Sequence, residues 1–200
     1  MKPIYFLVFS ILLASCAKVE VNLSQVEQND GKVHLKDNPE PFSGIVNAYY
    51  PGDDSLQKQS METFSDGIRD GLTTLWYKDG GKEKEGNYQN DKAMGKWMWW
   101  YPDGKVKQVV NYINGEVDGV YEIYYSNGQL WAKIKYSTGK PWESLEHYFN
   151  DGTPVGKNTL KDGNGQLFSY DENGNLQLTT TYEKGEELMR VQASDMQSIH

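Results

Sequence analysis

The chain has 200 residues and a formal net charge of -8, with 38% hydrophobic and 13% aromatic residues. The negative charge argues against electrostatic binding to nucleic acid or to anionic lipid, because both need clustered lysine and arginine. The aromatic content suits a thin protein core, whereas a thick core needs more Leu, Ile and Val than this chain holds.

The N-terminus has the features of an export signal. Lys2 precedes an apolar run from Ile4 to Leu13, which is too short to span a bilayer but has the length of a signal-peptide core. The next residues, Leu13-Ala14-Ser15-Cys16, are similar to a bacterial lipobox, in which cleavage occurs before the cysteine and lipid is attached to it. The alternatives are an ordinary signal peptide or a buried N-terminal strand, with Cys16 incidental.

Cys16 is the only cysteine, so it cannot form an intramolecular disulfide, and it stands where a lipobox requires it. We therefore expect residues 1–15 to be a signal peptide and residues 16–29 to be a lipidated N-terminus and tether, with one strand near Val19 to Leu23. Two or three acyl chains, at ~0.8 kcal/mol per buried CH₂, would anchor the protein stably in the bacterial cell envelope. Ala17 differs from the aspartate of inner-membrane retention signals, which favours the outer membrane.

Residues 30–186 form an array of repeats. Each unit has a leading glycine, a glycine near its middle, a closing aromatic residue and a turn residue, and from the second unit to the fourth these marks recur every 24 residues. The units begin at Gly44, Gly71, Gly95, Gly119, Glu143 and Gly165. A fixed period of this size predicts stacked copies of one supersecondary unit.

Each unit predicts a β-hairpin. In the unit that begins at Gly95, two strand-like runs flank Pro102-Asp103-Gly104, whose glycine can adopt positive φ. Alternation in the second run separates an apolar face from a polar face, and lysines such as Lys84 and Lys107 fall on the polar face. Because one hairpin is marginal in water, the units need neighbours. The predicted fold is all-β, an elongated single-layer array of consecutive antiparallel β-hairpins.

Aromatic side chains recur five residues after the leading residue of each unit. This aromatic ladder consists of Tyr49, Trp76, Trp100, Tyr124, Tyr148 and Tyr170. We expect most of the ladder to be core, since each ring buries ~150–250 Å². Strand parity cannot bury every ring of the units that begin at Gly95 and Gly119. Trp97, Trp99 and Tyr121 are therefore predicted to form an exposed strip for binding.

The fifth unit departs from the pattern. Glu143 replaces the leading glycine, Leu160 replaces the closing aromatic residue, and Pro154 enters the second strand, where it cannot donate to a ladder. We expect a kink in the array here or a docking site for another molecule. Residues 187–200 show no period and are predicted to form a polar tail or a short cap.

The sequence predicts no catalytic residue, no metal site and no cofactor. The histidines at 34, 147 and 200 lie in parts of the chain that stacked hairpins do not bring together, whereas a catalytic triad must converge. His147 is expected to be a partly exposed strand residue. The acidic run that starts at Asp171 fails as an EF-hand, because Leu176 and Tyr182 occupy the sixth and twelfth positions.

The repeat has the form G-x-x-x-x-[WY]-Y-x-x-G-x(7)-Y-x-x-G, and Pro41-Phe42-Ser43-Gly44 leads into the first unit. This pattern resembles the bacterial variant of the MORN (membrane occupation and recognition nexus) repeat, which occurs in proteins labelled YwqK-type antitoxins. The resemblance covers residues 30–186 and implies a MORN-like array of hairpins. It does not imply one function, because these repeats serve unrelated tasks.

Four functions each fit some of these features. The favoured hypothesis is a non-catalytic, membrane-anchored protein-binding or scaffold module of the cell envelope, with an unidentified protein partner and no nucleic acid. A module for cell-wall glycan or choline is the alternative, because the aromatic hairpins are similar to choline- and glucan-binding repeats, although those are nearer twenty residues long. A toxin-neutralising antitoxin fits the repeats but not the export signal. An enzyme would need a convergent acid/base pair, for example around Glu146, His147 and Asp151.

Overall fold

The computed structural model describes residues 18–52, 57–156, 158–171 and 173–196, and strands and turns account for nearly all of them. In these ranges the strands are β1 (Glu20–Asn22), β2 (Val26–Asn29), β3 (Lys32–Leu35), β4 (Gly44–Tyr49), β5 (Lys58–Ser65), β6 (Ile68–Trp76), β7 (Lys82–Gln89), β8 (Lys92–Trp100), β9 (Val106–Ile113), β10 (Glu116–Val117), β11 (Gly119–Tyr124), β12 (Leu130–Ser137), β13 (Lys140–His147), β14 (Gly165–Tyr170), β15 (Leu176–Glu183) and β16 (Glu186–Gln192). A 3₁₀ turn spans Leu23–Gln25, and a short helix, α1, spans Ala193–Met196.

Most strands belong to one open sheet with the order β1-β4-β5-β6-β7-β8-β9-β11-β12-β13, in which β10 also pairs with β9. From β4 onward, neighbours in this sheet are antiparallel, whereas β1 joins β4 in parallel. Strands β14-β15-β16 form a second sheet, and β2 and β3 form a separate hairpin. The predicted all-β fold of consecutive antiparallel hairpins is confirmed.

Tight two-residue turns close one edge of the array. Both turn residues have positive φ, as in Asn114 (53°) and Gly115 (88°), which identifies type I′ turns. Asn, Asp and Gly tolerate this conformation, so the sequence itself selects the turn. The second residue of each turn then donates a hydrogen bond to the preceding unit, as from Gly115 N to Ala93 O (2.9 Å) and from Gly139 N to Val117 O (2.9 Å).

Tyrosine hydroxyl groups link the units at the opposite edge. Each of these tyrosines follows a ladder residue and donates to the backbone carbonyl of the ladder residue in the next unit. The bonds run from Tyr50 to Trp76 (2.6 Å), from Tyr77 to Trp100 (2.7 Å), from Tyr101 to Tyr124 (2.7 Å) and from Tyr125 to Tyr148 (3.1 Å). All six ladder side chains are partly exposed. The ladder therefore joins units largely through its carbonyl groups.

Removing one of these hydroxyl groups should loosen the array by a small, measurable amount. We expect Tyr77→Phe to lower the free energy of unfolding by about 1 kcal/mol, because the Trp100 carbonyl loses its partner and the ring still packs. Urea denaturation followed by far-UV circular dichroism measures the loss. Tyr88→Phe is the control, since the Tyr88 hydroxyl makes no hydrogen bond to the described residues, and an equal loss in both variants would contradict the bridging role.

The core lies mainly on one face of the large sheet, and Trp97 is its largest member. The side chain is 1% exposed, and its Nε1 donates to Asn87 O at 3.1 Å. The prediction that Trp97 belongs to an exposed strip is therefore wrong. The reason lies on the neighbouring strand, where Gly86 has no side chain and the indole fills the space; a Cβ at Gly86 would lie 2.0 Å from the Trp97 ring.

Rings around Trp97 extend this cluster. Tyr88 contacts it edge-on with ring centroids 4.9 Å apart, Tyr112 lies at 6.1 Å, and the half-buried Trp99 lies at 6.0 Å. Lys84, predicted on the solvated face, instead places its Nζ 4.7 Å from the centre of the Trp97 ring. Burial lowers the pKa of Lys84, and the nearby Arg69 charge lowers it further.

The described residues of the fifth unit, 143–156 and 158–164, contain no second strand after β13. Residues after β13 instead run along its outer edge, with hydrogen bonds from Val155 N to His147 O (2.7 Å) and from Ser144 N to Leu160 O (3.0 Å). Leu160 is 2% exposed, so the aliphatic replacement at the closing position is a core residue. The large sheet ends at β13, and the array resumes in the second sheet.

Both ends of the array differ from the predicted boundaries. Within the predicted tether, β1 agrees with the strand expected near Val19 to Leu23, and it pairs with β4. The rest of the segment is not a simple tether, because β2 pairs with β3. Residues 187–200 are predicted to form a polar tail or a short cap, and the cap is the better description, because residues 187–192 belong to β16, which pairs with β15 at the end of the second sheet. These segments lack the repeat period because they close the array and do not continue it. Cys16 lies outside the described residues.

Candidate functional site: an aromatic groove

A groove of about 470 Å³ lies on the large sheet beside the second sheet. Its aromatic lining comprises Tyr101, Tyr121, Tyr124, Tyr125, Trp131 and Tyr170. Ile123 adds an aliphatic side chain, and Lys107, Gln108 and Asp171 supply the polar groups. These side chains come from β9, β11 and β12, from the turns that follow β8 and β11, and from the end of β14.

A β-bulge that recurs in the hairpins directs two of these side chains into the groove. The register of each hairpin shifts immediately before its ladder residue, and the partner strand carries one extra residue there. In the hairpin of β8 and β9, Trp99 pairs with Gln108 and Trp100 with Val106, so Lys107 is the extra residue. In the hairpin of β11 and β12, Trp131 is the corresponding extra residue of β12. Such β-bulges turn a side chain out of the regular alternation, which brings Lys107 and Trp131 to the groove.

Hydrogen bonds hold the groove tyrosines in place. The hydroxyl groups of Tyr101 and Tyr125 are bound to backbone carbonyls of the following units, and the Tyr121 hydroxyl donates to Gln108 Oε1 at 2.9 Å. Gln108 pairs with Ile123 across β9 and β11, and Tyr121 lies two residues before Ile123, on the same face of β11, where its hydroxyl reaches the Gln108 side chain. The rings are therefore largely preorganised, so a ligand would lose little side-chain entropy in ordering them.

A continuous row of rings connects the two sheets. Centroid distances are 5.9 Å from Tyr125 to Trp131, 6.4 Å from Trp131 to His147, 6.1 Å from His147 to Tyr170 and 5.2 Å from Tyr170 to Phe149. Phe149 takes the place of the bridging tyrosines and has no hydroxyl to donate, so it packs edge-on against Tyr170 instead. The row makes the groove a feature of the junction between the sheets.

Polar groups in the groove suit binding more than proton transfer. Lys107 Nζ lies 5.7 Å from the centre of the Tyr101 ring, and the buried Trp131 Nε1 has no hydrogen-bond partner among the described residues. Asp171 accepts bonds from Asn175 Nδ2 (3.0 Å) and from the Asn175 backbone (2.8 Å), which hold the pKa of its carboxyl below the ordinary value. Burial raises the pKa of Tyr121, so its hydroxyl stays protonated near neutral pH.

His147 lies behind the groove and is 9% exposed, so the prediction of a partly exposed strand residue is wrong. Asn158 Nδ2 donates to His147 Nδ1, which leaves the proton of the neutral ring on Nε2. Asn158 Oδ1 in turn accepts from Phe168 N at 2.7 Å. Asn158 thus joins β13 to β14, and the degraded fifth unit is a structural junction.

Burial of His147 predicts a dependence of stability on pH. Burial of the imidazole holds the pKa of His147 below the ordinary 6.5. Between the lowered folded pKa and 6.5 the unfolded chain binds more protons, so stability falls as the pH is lowered through 6.5. We expect the urea midpoint to decrease from pH 7.5 to pH 5.5, and His147→Gln to remove most of that decrease.

The matched control for this pH dependence is His34→Gln, because His34 lies in the separate β2–β3 hairpin. It should keep the decrease seen in the parent protein. If His147→Gln kept the full decrease, the burial of an uncharged imidazole would not be its cause.

The groove contains only part of what the sequence predicted. Of the predicted strip Trp97, Trp99 and Tyr121, only Tyr121 lines it, and of the ladder only Tyr124 and Tyr170 do. Lys107, Gln108, Tyr101, Tyr125 and Trp131 were not predicted as site residues. A tyrosine follows each of the first four ladder residues, and this pattern could have identified Tyr101 and Tyr125. The bulges that bring Lys107 and Trp131 to the groove have no such signal in the repeat pattern.

The described residues contain neither a metal-binding cluster nor a membrane-spanning helix. No group of three or more His, Cys, Asp or Glu side chains in these residues could hold a metal ion. None of their helices has the length and apolar character needed to cross a membrane.

The hairpin geometry agrees with a comparison against known families. Residues 69–90, 95–114, 117–138 and 163–184 match the family model described as the MORN repeat variant. The chain is a repeat module. The four MORN-variant matches fall on the hairpins β6–β7, β8–β9, β11–β12 and β14–β15. The first and fifth units lie outside the matches, and the described residues of the fifth unit contain no second strand. No curated protein matches the chain.

Proposed function

We propose that the protein is a non-catalytic, membrane-anchored repeat lipoprotein that binds a protein partner at the bacterial cell envelope. The groove is the observation that carries the binding role. Tyrosine and tryptophan are enriched in the centres of protein interfaces, where they supply large contact areas at a small cost in side-chain entropy. The groove offers six such rings, with a lysine and a glutamine among its polar groups.

The groove assignment has a direct test in two charge substitutions on one strand. Ile123→Glu places a carboxylate in the groove, whereas Val120→Glu places one on the opposite face of β11, at a side chain that is already 39% exposed. A partner captured from envelope extract by the parent protein should be retained by Val120→Glu and lost with Ile123→Glu. Equal capture by both variants would contradict the groove, provided that circular dichroism shows both to be folded.

The anchor is supported by the lipobox-like Leu13-Ala14-Ser15-Cys16 after a short apolar run. We expect Cys16→Ser to move most of the protein from the membrane fraction to the soluble fraction, because no acyl chain can then be attached. Fractionation with immunodetection measures the shift. Unchanged membrane association would contradict lipidation at Cys16. The outer membrane is the proposed location, on the basis of Ala17.

A glycan is the second candidate ligand, because aromatic rings next to polar donors also suit a saccharide. Gln108 Nε2 has no hydrogen-bond partner among the described residues and remains available to a sugar hydroxyl. Choline is disfavoured by Lys107, whose positive charge would repel a quaternary ammonium in the same groove. Retention of the parent protein, but not of Ile123→Glu, on a column of cell-wall glycan would favour this candidate over a protein partner.

A further inference from the structure

The N-terminal edge of the large sheet lies very close to the proposed anchor. Strand β1 pairs with β4 from Glu20 onward, and Val19 O already accepts a hydrogen bond from Ile45 N at 2.8 Å. Only residues 17 and 18 lie between Cys16 and Val19, so fully extended chain spans at most about 11 Å between them. Acyl chains on Cys16 would therefore hold β1 at the membrane surface.

Two exposed apolar side chains flank β1. Val19 precedes the strand and is 59% exposed, and Leu23 follows it and is 58% exposed. The exposed large apolar side chains elsewhere in the large sheet, such as Leu72 and Ile113, lie between 38% and 48%. The most exposed apolar side chains of this sheet region are thus the ones nearest to Cys16.

We propose that Val19 and Leu23 insert into the lipid surface beside the acylated Cys16 and orient the array on the membrane. This inference rests on the proposed lipid anchor and is independent of the ligand of the groove. The insertion is shallow, because β1 has one strand neighbour and its other backbone edge must stay hydrated. The neighbouring charges are compatible with this depth: Lys18 can reach lipid phosphates, and the Glu20 carboxylate accepts a bond from Asn47 Nδ2 at 3.1 Å.

This orientation places the groove away from the membrane. Seven strand steps separate β1 from β11 in the sheet order. At about 4.8 Å per step, the path along the sheet is roughly 34 Å, so the groove faces a partner at a distance from the lipid surface. The hairpins between them act as a spacer whose length is set by the number of repeats.

The sole natural cysteine makes the test simple, because lipidation blocks its thiol and an introduced cysteine is then the only reactive one. The full lipidated chain would be prepared as Leu23→Cys, labelled with an environment-sensitive fluorophore and reconstituted into phosphatidylcholine vesicles containing lipid spin-labelled near the headgroup. We expect at least a twofold loss of fluorescence. Leu188→Cys, at a side chain 61% exposed on β16, is the matched control and should lose little.

The outcomes separate this inference from the anchor itself. Flotation of the protein with vesicles, together with quenching at position 23 and not at 188, supports both. Flotation with equal, weak quenching at the two positions overturns the membrane contact of Val19 and Leu23 while leaving the anchor intact. Failure to float, or labelling of the parent protein at Cys16, overturns the anchor and the contact with it.

Discussion

Trp97→Ala should lower the free energy of unfolding by about 3–5 kcal/mol, the range for removing a large aromatic side chain from a protein core. The indole is 1% exposed, lies on Gly86, contacts Tyr88 edge-on and donates a hydrogen bond to Asn87 O. A single-layer sheet has few other buried side chains that could close the cavity. Since small domains are stable by only about 5–15 kcal/mol, the loss would be a large share of the total.

Urea denaturation followed by far-UV circular dichroism measures this loss without depending on tryptophan fluorescence. Trp99→Ala is the control, because Trp99 is half-buried and adjoins the same cluster at 6.0 Å. It should cost less than half as much. Equal losses would show that burial of Trp97 against Gly86 does not dominate the stability of this region.

Gly86→Ala should lower the free energy of unfolding by about 2–3 kcal/mol, the upper part of the range for an overpacked core. The new Cβ would lie 2.0 Å from Trp97 Cδ2 and 2.3 Å from Cε2, so the centre of the indole would have to move. The ring cannot avoid the contact by rotating a flexible end. The methyl group therefore displaces the side chain that contributes most to the core.

The two substitutions should be strongly non-additive, because they act on one contact. In the Trp97→Ala background, Gly86→Ala should be neutral or slightly stabilising, since alanine restricts the unfolded chain more than glycine does. Gly156→Ala is the matched control, because a Cβ there meets no atom within 4 Å. Its effect should stay within about 0.5 kcal/mol. Additive losses at positions 86 and 97 would rule out direct packing as the cause.

Much of the fold could be predicted because the relevant signals are local. Pairs such as Asn114–Gly115 adopt positive φ at both residues, and few other residue types do so at low cost. Their regular spacing fixes where each strand ends, and the alternation between them is typical of strands. The hairpins and their antiparallel order follow from these short-range preferences, together with the need of each hairpin for a neighbour.

The candidate site could be predicted only in part. Of the predicted binding strip, only Tyr121 lines the groove. Tyr124 and Tyr170, which the sequence predicts as structural ladder residues, line it as well. Regular strand alternation predicts Lys107 on the solvated face. The bulge in β9 shifts the alternation by one residue and brings this side chain to the groove. One extra residue in a strand moves the following side chains to the other face of the sheet, and the local sequence gives no signal for the position of this bulge.

The sequence by itself determined the repeat period, the turn conformations and the all-β fold, because each depends on residues that are close together in the chain. Only the tertiary structure decided which rings are buried. Trp97 is core because Gly86 on the next strand leaves space for it, and His147 is buried because Asn158 crosses from the irregular segment. Burial depends on which side chains contact each other across strands. Register shifts and segments that cross between strands decide these contacts, and they involve residues that are far apart in the sequence.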